Sequence, residues 1–134
     1  MIKRERTLSI LHLVTILFGM VTIYFCNNRD VFIGTNTKTT DCYILQVEKM
    51  NNTDSHVLVL EKDDVLSVEY SIDKGNVDLV IGLEKEKPIY KGNDIEDEKF
   101  EVIVPRDGEY RITVKAKHAA GSITIIKNQC MDEK

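Results

Sequence analysis

Beyond Asp41 the apolar and polar residues alternate with a period of two, the signature of β-strands with one buried face. Leu66, Val68, Tyr70 and Ile72 share one face of VLSVEYSI, with Ser67, Glu69 and Ser71 on the other. Val77, Leu79, Ile81 and Leu83 repeat the pattern, as do Phe100, Val102 and Val104. In EYRITVKAK, Tyr110, Ile112, Val114 and Ala116 alternate with Arg111, Thr113, Lys115 and Lys117. Further strands are expected at Tyr43–Glu48, Val57–Glu61 and Ser122–Lys127, with a short one at Ile89–Tyr90. No stretch after Asp41 has a helical period.

The separators are turn-formers. They are Lys62-Asp63-Asp64, Asp73-Lys74-Gly75-Asn76, Lys91-Gly92-Asn93-Asp94, Pro105-Arg106-Asp107-Gly108 and Ala119-Ala120-Gly121. Seven or eight short strands with one apolar face each imply an all-β domain. The expected architecture is an antiparallel β-sandwich or jelly roll over 42–130, followed by a tail at 131–134.

The N-terminal quarter is different. Leu8 to Phe25 contains no Asp, Glu, Lys or Arg. Eighteen helical residues extend about 27 Å, close to the thickness of a bilayer core. Lys3, Arg4 and Arg6 precede the run, so the positive-inside rule places the tip in the cytoplasm and everything after Cys26 outside. Residues 1–26 are therefore expected to be a basic tip and a transmembrane signal anchor in the lipid bilayer, giving a single-pass protein of the cell membrane. Two other fates compete: signal cleavage, opposed by bulky Ile23-Tyr24-Phe25, and lipidation of Cys26, opposed by Phe25 beside it. His12 lies one turn from the cytoplasmic end of the run and can sit neutral near the interface. Residues 27–41 look like a polar connector. Val31-Phe32-Ile33 within it is open between a first strand and packing at the membrane surface.

The chain has 134 residues and a net charge of −4. The basic tip carries +2, which leaves about −6 for the rest and excludes nucleic-acid binding, where positive charge must meet phosphate. His56 follows a polar loop and His118 sits where a strand meets a turn. Neither joins a nucleophile or acid–base pair, so no enzyme activity is expected. The oxygen-rich loop with Asp94, Glu96, Asp97 and Glu98 is the candidate cation site, for weakly bound calcium, although its spacing is not that of an EF-hand. Asp73, Asn76 and Asp78 form a thinner second set. The absence of Trp and the scarcity of surface aromatics weaken a carbohydrate-binding reading, which needs flat rings to stack on sugars. Cys42 precedes the first confident strand and Cys130 follows the last. If those strands lie side by side, a disulfide between them would stabilise the domain by roughly 4–5 kcal/mol on the chain-entropy picture. Two unpaired thiols are the alternative.

The order GNVDLVIGLEKEKPIYKG, then FEVIVPRDGEYRITVKAKHAAGSITI, resembles small β-sandwich modules of bacterial secreted proteins. The nearest resemblance is to the pre-peptidase C-terminal domain, with the Golgi-dynamics domain more distant. It runs from about Val57 to Lys127: a Gly-led strand from Gly75 to Leu83, an Asp-Gly-x-Tyr strand from Asp107 to Val114, and a Gly-Ser strand from Gly121 to Ile126. The resemblance implies a sandwich fold and an accessory, non-catalytic role. No peptidase is attached here. The expected function is a membrane-tethered, extracytoplasmic binding module for an unidentified protein partner. A structural envelope protein without a ligand, or a weak calcium-dependent module, are the alternatives.

Overall fold

In a computed structural model, residues 30–128 are described. The apolar segment 8–25, His12, Cys26 and Cys130 lie outside them. Among the described residues no helix is long and apolar enough to cross a membrane.

Period-two patterning becomes seven strands: β1 (Phe32–Lys38), β2 (Cys42–Met50), β3 (Thr53–Leu60), β4 (Val65–Gly82), β5 (Tyr90–Gly92), β6 (Asp97–Ile103) and β7 (Gly108–Asn128). All pairings are antiparallel, and the seven strands hydrogen-bond into one sheet. β4 has 18 residues and β7 has 21. The first half of β4, Val65–Ile72, lies between β6 and the end of β7 at Gly121–Asn128. Its second half, Asn76–Gly82, lies between β5 and the start of β7 at Arg111–Lys117. β2 joins the end of β7 and carries β1 outside it, while β3 joins the start of β7. The sheet thus has two lobes, β1-β2-β7-β4-β6 and β3-β7-β4-β5, which share the β4–β7 ribbon. They fold over each other into a two-layered sandwich whose inward faces form one hydrophobic cluster.

The fold line corrects the expectation of two separate sheets. Asp73-Lys74-Gly75-Asn76 and Ala119-Ala120-Gly121 are bends inside continuous strands rather than reversals. The β4–β7 register shifts between Ile72 and Lys74 and again between Lys74 and Asn76. Such bulges add residues to one strand and bend it. Gly75 (φ 76°) and Gly121 (φ 148°) supply backbone angles that side chains resist, and His118 (φ 48°) joins them. A Cβ on Gly75 would lie 2.2 Å from the His118 carbonyl oxygen, and one on Gly121 would lie 2.3 Å from that of Ser71. Glycine at both positions lets the ribbons cross the corner at close range.

The bulges also reset which residues point inward. In β4 the buried set passes from Leu66, Val68 and Tyr70 to Val77, Leu79 and Ile81. In β7 it passes from Tyr110, Ile112, Val114 and Ala116 to Ala119, Ile123 and Ile125. Among the described residues the buried ones are apolar throughout, tyrosines included, and none is charged. At the corner a residual cavity of about 10 Å³, lined by residues such as Leu45, Met50, Val77 and Ala119, is at the lower limit for holding a single water.

Within the connector, the alternative of a first strand is the one the structure shows: Phe32–Lys38 pairs with Tyr43–Met50 as edge strand β1, which extends well beyond Ile33. Every residue of β1 is exposed. At the opposite end of the molecule the Pro105–Gly108 turn is held from both sides. Tyr110 Oη donates to the Arg106 carbonyl at 2.6 Å, and Lys62 N–H donates to Asp107 at 2.7 Å.

Candidate functional site

The acidic loop between β5 and β6 closes over the corner. Its one large apolar residue, Ile95, is 6% exposed and plugs the core there. Ile95 N–H donates to the Val77 carbonyl at 2.9 Å. With Ile95 turned inward, its neighbours Asp94 and Glu96 are exposed. Asp94 adopts φ 50°, a left-handed angle that Asp tolerates better than most residues, and its N–H donates to Asp78 Oδ1 at 2.8 Å. Asn76, in the amide orientation that satisfies both its polar atoms, donates to Asp94 Oδ1 at 3.3 Å. Ile72 N–H donates to the Glu96 carbonyl at 3.0 Å and to Asp97 Oδ1 at 3.1 Å.

Parts of both candidate sets therefore meet at one place, without Glu98 and Asp78. Asp73, Asn76, Asp94, Glu96 and Asp97 line an open groove of about 430 Å³, together with Lys74 and the neighbouring backbone. Around the bend, Asn76, Asp78 and Asp94 share a second groove of about 330 Å³ with Lys115 and Lys117. Among the described residues no ion pair reaches Asp73, Asp78, Asp94, Glu96 or Asp97. Four carboxylates face one lysine in the larger groove.

The calcium set is not assembled. Among the described residues, no three His, Cys, Asp or Glu side chains are grouped to hold a metal ion. Strand geometry accounts for this. Asp97 and Glu98 are consecutive in β6, so they point to opposite faces. Asp97 turns outward, and Glu98 turns to the sandwich edge, where Tyr70 Oη donates to its Oε2 at 2.9 Å.

That last contact belongs to one of two tyrosine–carboxylate clasps, which the sequence reading missed. At the β5–β6 edge, Tyr70 joins Glu98, and its hydroxyl lies 2.9 Å from that of Tyr90. The Phe100 ring packs on both tyrosines. Burial, then hydrogen bonding to Tyr90 and Glu98, pushes the Tyr70 hydroxyl well above its ordinary pKa. At the opposite edge, Tyr43 Oη donates to Asp54 Oδ2 at 2.7 Å, linking β2 of one lobe to β3 of the other. Asn36 and Lys38 of β1 each donate to Asp54 at 2.9 Å. Burial pushes the Asp54 carboxyl up, but hydrogen bonds from Lys38 and Tyr43 and the charge of Lys38 outweigh it, so its pKa falls. His56 stacks on Tyr43, with its Nε2 2.6 Å from the Thr39 carbonyl oxygen. These groups are occupied in joining the lobes. The only signal for them in sequence was tyrosine at inward strand positions, where a buried hydroxyl requires a partner.

Cys42 opens β2 opposite Ile126, half-buried, with Thr39 Oγ1 donating to its Sγ at 3.2 Å. Cys130, its expected disulfide partner, lies outside the described residues, as does the lipidation candidate Cys26. His118 sits in the β7 bulge, away from the stacked His56.

No family model and no curated protein matches the chain. Among solved structures it is similar to PliG of Aeromonas hydrophila, a periplasmic lysozyme inhibitor of g-type lysozyme. The two share 14% identity, over 69% of this chain and 90% of that one, with a TM-score of 0.45.

Proposed function

We propose that the chain is a non-catalytic accessory module, tethered by residues 8–25 with its β domain outside the cytoplasm, and that the acidic corner docks a basic segment of a protein partner. The observation that carries this is the larger groove: Asp73, Asp94, Glu96 and Asp97 around one lysine, without an ion pair among the described residues. Unpaired surface carboxylates on a bulged, Ile95-pinned frame present fixed negative potential. Lysine and arginine side chains entering it gain charge-assisted hydrogen bonds. Both grooves that the acidic residues line are open to solvent, which supports a surface mode of recognition. The anchor rests on the apolar run and its basic flank.

Photo-cross-linking in native membranes tests the reading. A photoreactive residue replacing Glu96 should capture a discrete protein, and one replacing Val59, exposed on β3, should not. Asp94→Asn with Asp97→Asn should abolish the adduct while leaving the far-ultraviolet circular dichroism unchanged. An adduct indifferent to those two charges would contradict the docking chemistry.

A further inference from the structure

We propose that Phe32 and Ile33, at the start of β1, seat the domain on the lipid surface. The proposal rests on the anchor reading above. Phe32 is 38% exposed and Ile33 50%, and as neighbours in sequence they form one apolar patch. As consecutive strand residues they point to opposite faces, so the strand tip is apolar on both sides. The register shift between Ile33 and Gly34 leaves Glu48 of β2 without a partner in β1 and puts a bulge just behind this tip, while Phe32 and Ile33 stay paired with Met50 and Lys49.

Position gives the patch its occupant. Phe32 pairs with Met50, and Asn51 N–H donates to the Val31 carbonyl at 2.8 Å, which fixes the chain's point of entry at the corner end. The apolar run ends at Phe25, and residues 27–31 are all that separates Cys26 from Phe32. Five residues reach at most about 18 Å when fully extended. The polar headgroup layer of one leaflet is roughly 5–8 Å thick. A span ending at the bilayer surface therefore holds Phe32 within reach of that layer. The tether keeps its effective concentration there high, so two side chains suffice where free partitioning would be weak. Phenylalanine and isoleucine suit this boundary, and Lys49, paired with Ile33, can extend its ammonium to the headgroups. The acidic corner begins across β2 and β7, where Asp73 lines one open groove with Gly34 and Thr35 of β1. The domain then leans on its β1 edge. Its acidic groove faces sideways, toward a partner in the same membrane.

The chain contains no tryptophan, so one introduced indole reports alone. The full chain carrying Phe32→Trp is reconstituted in phosphatidylcholine vesicles, with and without brominated acyl chains. The control is Val59→Trp, at a 66% exposed site near the other end of β3. Seating predicts blue-shifted emission and loss of fluorescence to bromine for Phe32→Trp, with neither for Val59→Trp. Carbonate extraction of the same vesicles separates the two claims. Retention in the membrane with unquenched, water-like emission from Phe32→Trp would overturn the seating while leaving the anchor. Release by carbonate would overturn the anchor and the seating with it.

Discussion

Replacing Gly75 by alanine probes the corner most sharply. The native φ of 76° places an alanine in the left-handed region, at a cost of about 1–2 kcal/mol. The added Cβ would also lie 2.2 Å from the His118 carbonyl oxygen and 2.6 Å from that of Lys117. Both are backbone atoms of the bulged partner strand, so relief requires β7 to move. Contacts this short displace main chain at a cost on the order of 1–3 kcal/mol, as overpacking does. Together these terms come to roughly 2–5 kcal/mol, a large share of the 5–15 kcal/mol typical of a domain. Urea unfolding of a 30–134 fragment, followed by circular dichroism, measures the loss. Lys74→Ala, next in sequence and exposed, should stay within about 0.5 kcal/mol of the parent. Gly75→Asn separates the causes, because asparagine tolerates the backbone angle but keeps the Cβ. A loss near that of alanine assigns most of the cost to the close approach, and recovery of about 1 kcal/mol or more assigns it to backbone strain. A Gly75→Ala chain as stable as the parent would show that the ribbon does not need glycine at the bend.

Other outcomes follow from the clasps. Asp54→Ala removes the acceptor shared by Asn36, Lys38 and Tyr43, leaving the buried Tyr43 hydroxyl without it; a loss of about 2–3 kcal/mol is expected by the same unfolding assay. Because the folded Asp54 pKa is depressed, its contribution is complete above the ordinary carboxyl range near pH 4 and lost as pH falls through the lower folded value. The stability gap between the parent and Asp54→Asn should therefore narrow on acidification below about pH 4, and a gap that widened there would reverse the assigned sign. Tyr70→Phe removes the hydroxyl shared with Tyr90 and Glu98 and should cost about 1 kcal/mol, with the near-ultraviolet dichroism of the β5–β6 edge altered.

Most strand interiors were legible because burial on one face forces a period of two. The bends were not, and the reason lies in Gly75 and Gly121. Gly, Asn and Asp satisfy a reversing turn and an in-strand bulge equally well, since both require unusual backbone angles. The distinguishing signal was present in the parity of the apolar positions. They run Leu66, Val68, Tyr70 and then Val77, Leu79, Ile81, with the same switch in β7 between Ala116 and Ala119. A bulge resets parity within one strand, but so does a loop of suitable length, so parity alone cannot decide. β1 was only partly legible, as one of two readings of Val31-Phe32-Ile33, for another reason. As an exposed edge strand it buries neither face, and FIGTNTK has no alternation to show. The acidic loop was visible as charge, but its convergence with Asp73 and Asn76 depends on the bend and on Ile95. The clasps join residues as far apart as Tyr70 and Glu98, a pairing set by register and invisible to local pattern.

The central claim is that the corner receives cationic groups through an unneutralised carboxylate surface. Nuclear magnetic resonance titration of the ¹⁵N-labelled domain with a short Arg/Lys peptide tests it directly. Amide shifts should be confined to Asp73–Asp78 and Asn93–Asp97. They should weaken as ionic strength rises from 0.01 M to 0.15 M and the screening length falls from about 30 Å to about 8 Å. Shifts scattered over the surface, or a corner that stays silent at low salt, would contradict it.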